Sequence, residues 1–250
     1  GAVSGVVTEL GAVRARAVVC AGGVWSSTFL ANLGVSFPQL LVKGTVVRTS
    51  AVSEGFSGGA GSNKFSFRRR QDGGYTLSLG NYVDHYLGAD SFRYFTDFLP
   101  ALKMTWSAIR LRYDDGLLKR LFPTRRWEGD EITPFEQTRV LNPAPNPRVV
   151  RKIQQLMASN LPILAKAQIE EIWAGMIDAP PDFVPVMDEI PNYGNLFLAA
   201  GFSGHGFGIG PGAGKIMATL VQGKQAKFDL NRFRFSRFSD GSPITLGPAL

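Results

Sequence analysis

Apolar and polar positions alternate or cluster along this chain in a way that separates strands from helices. Val42 to Thr49, Lys64 to Arg70 and Tyr75 to Leu79 alternate or are rich in β-branched and aromatic residues, and Asp72-Gly73 between the last two predicts a hairpin turn. Ile169 to Met176 reads as a further strand. Ser91 to Arg120 and Pro147 to Leu164 carry helical spacing, joined by the proline-rich connector Pro143 to Pro147. Two stretches differ in kind from this middle region. In the first, a hairpin and the apolar strand Ala17 to Ala21 run through Gly22-Gly23 into a helix capped by Ser26 or Ser27, with Phe29, Leu30 and Leu33 inward. In the second, Leu196 to Ala200 runs into glycines at 201, 204, 206, 208 and 210. A helix follows, with Pro211 in its first turn, Ala213, Ile216, Met217, Leu220 and Val221 on its apolar stripe, and Gly223 at its stop.

Strand–glycine–helix units of this kind occur in open α/β sheets, with ligand at the carboxyl ends of the strands. Glycines between strand and helix let a backbone approach a flat or phosphorylated group, although such loops also simply make tight turns. The helix start behind them offers free N–H groups and a positive dipole end. Neither standard phosphate cradle is matched. Gly214-Lys215 is followed by Ile216 where a P-loop needs a hydroxyl, and Gly-x-Gly-x-x-Gly occurs nowhere.

Four blocks carry a resemblance. Gly201-Phe-Ser-Gly-His-Gly-Phe-Gly-Ile-Gly210 resembles the C-terminal flavin-contacting loop of the D-amino-acid oxidase, glycine oxidase and sarcosine oxidase family of FAD-dependent oxidoreductases. Ala17 to Ser26 is similar to the strand and turn closing that family's FAD domain, Asp72 to Gly80 to a hairpin of its substrate domain, and Trp173 to Pro185 to the segment before its last FAD strand. The blocks follow the family's order and cover most of the chain.

The resemblance implies an α/β (α+β) fold: a partial FAD-binding Rossmann-like domain, in pieces 1–34 and 191–250, with a mixed-sheet substrate domain, 41–190, inserted between them. It implies a FAD-dependent oxidoreductase that oxidises the C–N bond of an amino acid or a secondary or tertiary amine by hydride transfer. Non-covalent FAD is expected, because the attachment cysteine of some members falls near Gly175. The cofactor contacts carried over are Val3, Ala21, Gly22, Trp25, Gly204, His205, Gly206, Phe207, Gly208, Ile209 and Gly210; His205 and Tyr82 are the catalytic candidates. His205 either adds a donor to the loop or merely holds backbone. Family members open with a strand, a Gly-x-Gly-x-x-Gly turn and a helix, which have no counterpart here. The chain therefore reads as the C-terminal portion of a longer protein, and an N-terminal segment or subunit is expected to complete the FAD site. The alternative reading is a non-catalytic piece that binds FAD only with such a partner.

Departures from the family bear on substrate and acceptor. Arginines that clamp a substrate carboxylate in glycine oxidase-like members fall at Ile177 and near Phe207, so another arginine (Arg48, Arg110 or Arg139) is required for that contact. The oxygen-activating lysine of sarcosine oxidase-like members falls at Ser78, and Tyr82 stands for a nearby histidine. This predicts a dehydrogenase or a poor oxidase. Asp178 and Asp182 are expected to fix a turn rather than act as bases, Lys43 to be structural or to face the flavin, and His85 to sit on a surface loop.

Composition narrows the picture further. With 44% hydrophobic and 19% charged residues the chain can build a sizeable core. No apolar run approaches the roughly 18 residues of a membrane span, so no integral membrane segment is expected. A single cysteine, Cys20, asks for no oxidising compartment, which points to the cytoplasm. Two histidines and one cysteine, far apart, give no metal set. The net charge of +7 raises nucleic acid as a partner, most of all where Arg232, Arg234 and Arg237 alternate with Phe233, Phe235 and Phe238. The reading preferred is a tail that docks its phenylalanines while the arginines stay wet or pair with carboxylates. A small-molecule amine or amino acid, not nucleic acid, is the partner expected.

Overall fold

Alternating apolar positions do form the strands, and these assemble into three sheets. A computed structural model describes residues 1–53, 55–62 and 64–247; the last three residues of the 191–250 piece lie outside them. In chain order the elements are β1 (Gly5–Thr8), β2 (Gly11–Arg14), β3 (Val18–Cys20), α1 (Ser26–Asn32), β4 (Leu40–Thr49), β5 (Gly59–Gly61), β6 (Ser66–Arg69), β7 (Tyr75–Ser78) and β8 (Val83–Tyr86). Then come α2 (Ala89–Arg93), α3 (Leu99–Thr105), β9 (Ile109–Arg112), α4 (Leu117–Leu121), α5 (Pro134–Gln137), α6 (Pro147–Asn160), β10 (Ile169–Ala179), β11 (Val186–Glu189), β12 (Leu196–Ala200) and α7 (Gly206–Val221).

The larger sheet runs β5-β6-β7-β4-β8-β9, with β10 along the other edge of β4. It is mixed, since β8 and β9 are parallel while the other pairs are antiparallel. Helix α6 covers one face. Its Val149, Val150, Ile153 and Met157 recur at helical spacing and bury against Val47, Tyr75 and Leu77. Each such side chain contributes about 1.5–3 kcal/mol by leaving water. Pro147 suits the first turn, and Asn146 Oδ1 caps it by accepting from Arg148 N at 3.0 Å.

The smaller sheet is β11-β12-β3, in which β12 runs parallel to β3. On one face Leu30 of α1, Phe37 and Phe235 pack with Leu196, Leu198 and Val186; on the other, Ala213 and Met217 of α7 pack with Phe197 and Met187. The chain passes from the larger to the smaller sheet between β10 and β11. In the C-terminal tail Phe235 is buried with its ring 6.1 Å from that of Phe37, and Phe238 lies 6.3 Å from the same ring. Arg237 is enclosed by Asp182, and Arg234 pairs with Asp240. The basic aromatic run is therefore docked on the body through its phenylalanines.

Four local expectations are corrected. The Ser91 to Arg120 stretch is not one helical region: β9 interrupts it, because Ile109 and Leu111 alternate with Arg110 and Arg112 and the segment pairs with β8. Ser26 and Ser27 are buried within α1, not capping it; Gln39 Oε1 instead accepts from Ser27 N at 3.1 Å. The third correction is to α7, which begins at Gly206 and takes Gly206, Gly208 and Gly210 into its first turns, leaving Pro211 inside the helix. His85, finally, is not on a surface loop but lies in β8, 7% exposed.

His85 Nδ1 lies 2.7 Å from Leu41 O, which can only accept, so Nδ1 carries the proton and Nε2 accepts from Ser91 Oγ at 2.9 Å. Burial pushes its pKa below the usual 6.5, opposed by the Leu41 bond and assisted by Arg120. The folded chain thus holds this imidazole neutral while the unfolded chain protonates below 6.5. Its stabilisation is complete above that pH and is lost as pH falls through it toward the lowered folded value. Thermal melts taken from about pH 7 down to about pH 5 should show falling Tm, with a shallower fall in His85→Asn, whose amide can still donate to Leu41 O.

Candidate functional site

The carboxyl ends of parallel strands β3 and β12 point the same way, so both glycine turns open on one side of the smaller sheet. After β12 the chain reverses through Gly201, Ser203 and Gly204, with φ of +79°, +49° and +78°. A Cβ on Gly201 would sit 2.9 Å from Pro180 Cγ, which glycine alone avoids. Ser203 holds a left-handed conformation at a cost of about 1–2 kcal/mol, and is pinned there by its N–H bond to Asp178 O at 3.1 Å.

The turn delivers a helix start without a cap. His205 stands at the N-cap position with no side-chain cap bond, and the first turn carries no acidic residue. The N–H groups of Gly204, Gly206 and Phe207 have no acceptor among the described residues. Helix starts normally satisfy such donors with side chains. Here they are left without a partner at the positive dipole end of α7. Cβ atoms on Gly208, Gly210, Gly212 or Gly214 would meet nothing within 4 Å, and the Phe207 side chain is fully exposed.

A residue the sequence reading passed over ties this turn to the other. Gln39, 3% exposed, donates from Nε2 to Gly23 O at 2.9 Å and to Asp178 Oδ2 at 3.1 Å. Asp178 Oδ2 in turn accepts from Gly201 N at 2.6 Å. The two strand ends are thus held in register by one amide and one carboxylate, and Asp178 fixes the turn. Only its neighbours hinted at Gln39: a lone amide inside the apolar run Phe37 to Val42.

Ala21, Gly22 and Trp25 come together at the carboxyl end of β3, lining a cavity of about 370 Å³ with Val18, Cys20 and Phe29. Val3 lies apart from it, against the core of the smaller sheet, its N–H bonded to Gly194 O at 2.9 Å. Burial raises the Cys20 thiol above its ordinary pKa of 9.0.

The larger sheet has two faces with different chemistry. Toward α6 point Lys43, Thr45 and Val47 of β4, with Asp84 on β8 and Arg110 and Arg112 on β9. Away from α6 point Val42 and Gly44 of β4, Ile177 of β10, and Thr76 and Ser78 of β7. Cβ positions on Gly44 and Gly204 fall 3.7 and 3.8 Å from Ile177, so this second face meets the α7 turn. Gly175, on the same face, is exposed with open space at its Cβ position. An apolar cavity of about 500 Å³ continues beside Val42, lined by Leu40, Phe98, Leu102, Leu111 and Phe183.

The two catalytic candidates are not brought together. His205 is exposed at the α7 start. Tyr82 packs on the α6 side, where its hydroxyl accepts from Arg112 Nη2 at 2.6 Å and its ring lies under Arg110 at 5.3 Å. Lys43 also faces α6. The carboxylate-clamp candidates Arg48 and Arg139 are engaged with Glu170 and Glu9, and Arg110 with the carbonyls of Ser107 and Ile109. Among the described residues no group of three or more His, Cys, Asp or Glu is placed to hold a metal ion, and no helix is long and apolar enough to cross a membrane.

Comparison with known proteins gives the same picture. The family model described as DAO, FAD dependent oxidoreductase, matches residues 1–220. Mouse peroxisomal sarcosine oxidase is 27% identical over 240 residues, 94% of this chain and 51% of that protein. The solved L-amino acid deaminase from Proteus vulgaris superposes with a TM-score of 0.89 at 28% identity, covering 95% of this chain and 55% of that one. The deaminase from Proteus myxofaciens, solved in complex with anthranilate, gives 0.89 at 31% identity, with 95% and 53% covered. The chain spans about half the length of the relatives it matches. With a family model matching nearly nine-tenths of its residues, and with strand–turn–helix units and an inserted mixed sheet in the order described, the chain belongs to the FAD dependent oxidoreductase (DAO) family.

Proposed function

We propose that the chain carries the flavin-ring and substrate half of a FAD-dependent oxidoreductase that oxidises the C–N bond of an amino acid or a secondary or tertiary amine. The observation that carries this is the uncapped α7 start. Three unpaired N–H groups and a dipole end lie at a turn that meets Ile177 of the sheet, and Gly208, Gly210, Gly212 and Gly214 carry no side chain into the open space around the first turns. These features fit the flavin ring: the donors suit its electron-rich pyrimidine edge, and the glycines leave room for its plane. When bound, FAD supplies the acceptor for the two electrons leaving the substrate as hydride. The N–H groups of Gly204, Gly206 and Phe207 would hold the flavin's pyrimidine edge and offset negative charge there, with no titratable side chain required. Ile177 and Val42 exclude water, and the apolar cavity beside them receives the non-reacting part of the substrate. A neutral substrate amine needs no strong protein base, so His205 acts at most as a further donor and Tyr82 as a support for the sheet.

Attachment is non-covalent: Gly175 offers no nucleophile where the family resemblance expects one, and Cys20 is buried with a raised pKa. Val3, Ala21, Gly22 and Trp25 serve the nucleotide end. A further N-terminal segment or subunit completes that end. Supporting this, β3 pairs with β12 alone among the described residues, and its Val19 is exposed. We place the protein in the cytoplasm, on the strength of a lone buried thiol. The substrate class follows relatives whose names record sarcosine and L-amino acids as what they act on.

The test is anaerobic addition of sarcosine, glycine and a set of L- and D-amino acids to the FAD-loaded protein. Bleaching of the visible flavin band by at least one is expected; no bleaching by any of them overturns the reading. Because Ser78 and Thr76 offer no cation on the flavin face of β7, reoxidation by O₂ should be far slower than a typical turnover of about 10 per second. Reoxidation at that rate removes the dehydrogenase assignment while leaving the substrate class intact.

A further inference from the structure

On the α6 side of the larger sheet, facing away from the flavin wall, a second cavity of about 350 Å³ opens between β4, β8, β9 and the start of α6. Lys43 lines it while only 7% exposed. A buried ammonium ordinarily has a carboxylate beside it, because an uncompensated charge out of water is costly. Lys43 has none within 4.0 Å among the described residues. Its Nζ donates to two neutral acceptors, Tyr86 Oη at 2.9 Å and Ala144 O at 2.8 Å, which leaves one N–H.

The nearest strand partner, Asp84, is already committed. One oxygen accepts from Arg112 Nε at 2.8 Å and the other from Asn146 Nδ2 at 2.7 Å. Arg112 lines the same cavity, and its Nη1 makes no hydrogen bond among the described residues. Arg148, in the first turn of α6, also lines it, and its guanidinium makes no hydrogen bond or ion pair among the described residues. Arg120 lies over the Tyr86 ring at 5.3 Å but is paired with Asp114. Around this pocket four cations thus meet two carboxylates, both already bonded to arginine.

We propose that this pocket binds a small oxyanion, a phosphate or a carboxylate, with Lys43, Arg112 and Arg148 as its cationic contacts and Tyr86 as a polar wall. The bound anion supplies a direct counter-charge to Lys43, which otherwise feels only the more distant field of Asp114. The site lies on the face of the sheet opposite the flavin wall and is separate from the substrate cavity.

Thermal unfolding and calorimetric titration of the full chain with inorganic phosphate test this, with malonate as the carboxylate probe and chloride at matched ionic strength as reference. A saturable Tm rise of about 3–6 °C at ten times Kd is expected from at least one probe. The probe that saturates names the ligand class. Arg148→Ala, an exposed change with no lost partner, should weaken binding at least tenfold, and Lys43→Met should abolish the saturable response. A response matched by chloride, or one unchanged in Arg148→Ala, overturns the site. Should Lys43→Met fail to fold, the Arg148→Ala result decides.

Discussion

Arg237→Ala should be among the most destabilising single changes in this chain, lowering stability by about 3–5 kcal/mol. Arg237 and Asp182 are each 6% exposed, and the guanidinium grips the carboxylate through Nε to Oδ2 at 2.7 Å and Nη2 to Oδ1 at 3.0 Å. Two of the remaining three protons go to Arg234 O at 2.8 Å and Val184 O at 2.6 Å, and the planar group stacks on the Phe238 ring at 4.1 Å. Removing the arginine strands a buried carboxylate and two carbonyls and also releases the tail that covers Phe37. For a chain of this size the loss corresponds to a Tm drop of about 6–20 °C. Lysine cannot reproduce the two-pronged contact, so Arg237→Lys should recover little of it. A pair that contributes nothing to stability would show itself as a melt of Arg237→Ala within a degree or two of the parent.

The second large effect separates function from stability at one position. Gly208 is in the first turns of α7, where glycine costs up to about 1 kcal/mol relative to a good helix former. Nothing lies within 4 Å of its Cβ position, so the fold itself gives no reason for a glycine there. Gly208→Leu should therefore leave Tm unchanged or raise it. If the open surface is reserved for the flavin ring, the same leucine fills that space and weakens FAD binding at least tenfold. A side chain that stabilises a protein while removing its ligand marks a surface held bare for that ligand.

Strands and helices closed by local signals were legible in the sequence. The β6–β7 hairpin carries its turn in Asp72-Gly73, α6 carries its own cap and apolar stripe, and β4 and β10 are long runs suited to a sheet with two covered faces. Elements decided by tertiary pairing were not. The four residues of β9 sit in a region of helical spacing, and only their partnership with β8 makes them a strand. The α7 start reads as loop because five glycines oppose a helix locally; burial of Ala213 and Met217 against the small sheet outweighs them.

Within the site, the glycine turn and the role of Asp178 were visible from residue types and spacing. Gln39 was not, since its partners lie 12, 16 and 139 positions away and such a hydrogen-bond hub leaves no period in the chain. Tyr82 was carried over from the family resemblance and Lys43 from its place at the start of a strand, yet neither says which face of the sheet is wet, covered by a helix, or turned to a cofactor. That depends on register with β8 and β10.

The central claim, that the α7 start holds the flavin ring, is tested most directly by titrating FAD into the purified chain and into Gly208→Leu, following the visible flavin spectrum and the melt together. Saturable perturbation of the flavin band by the parent chain, weakened at least tenfold in a variant whose unliganded Tm is no lower, is the predicted result. Equal binding by the two proteins would contradict it.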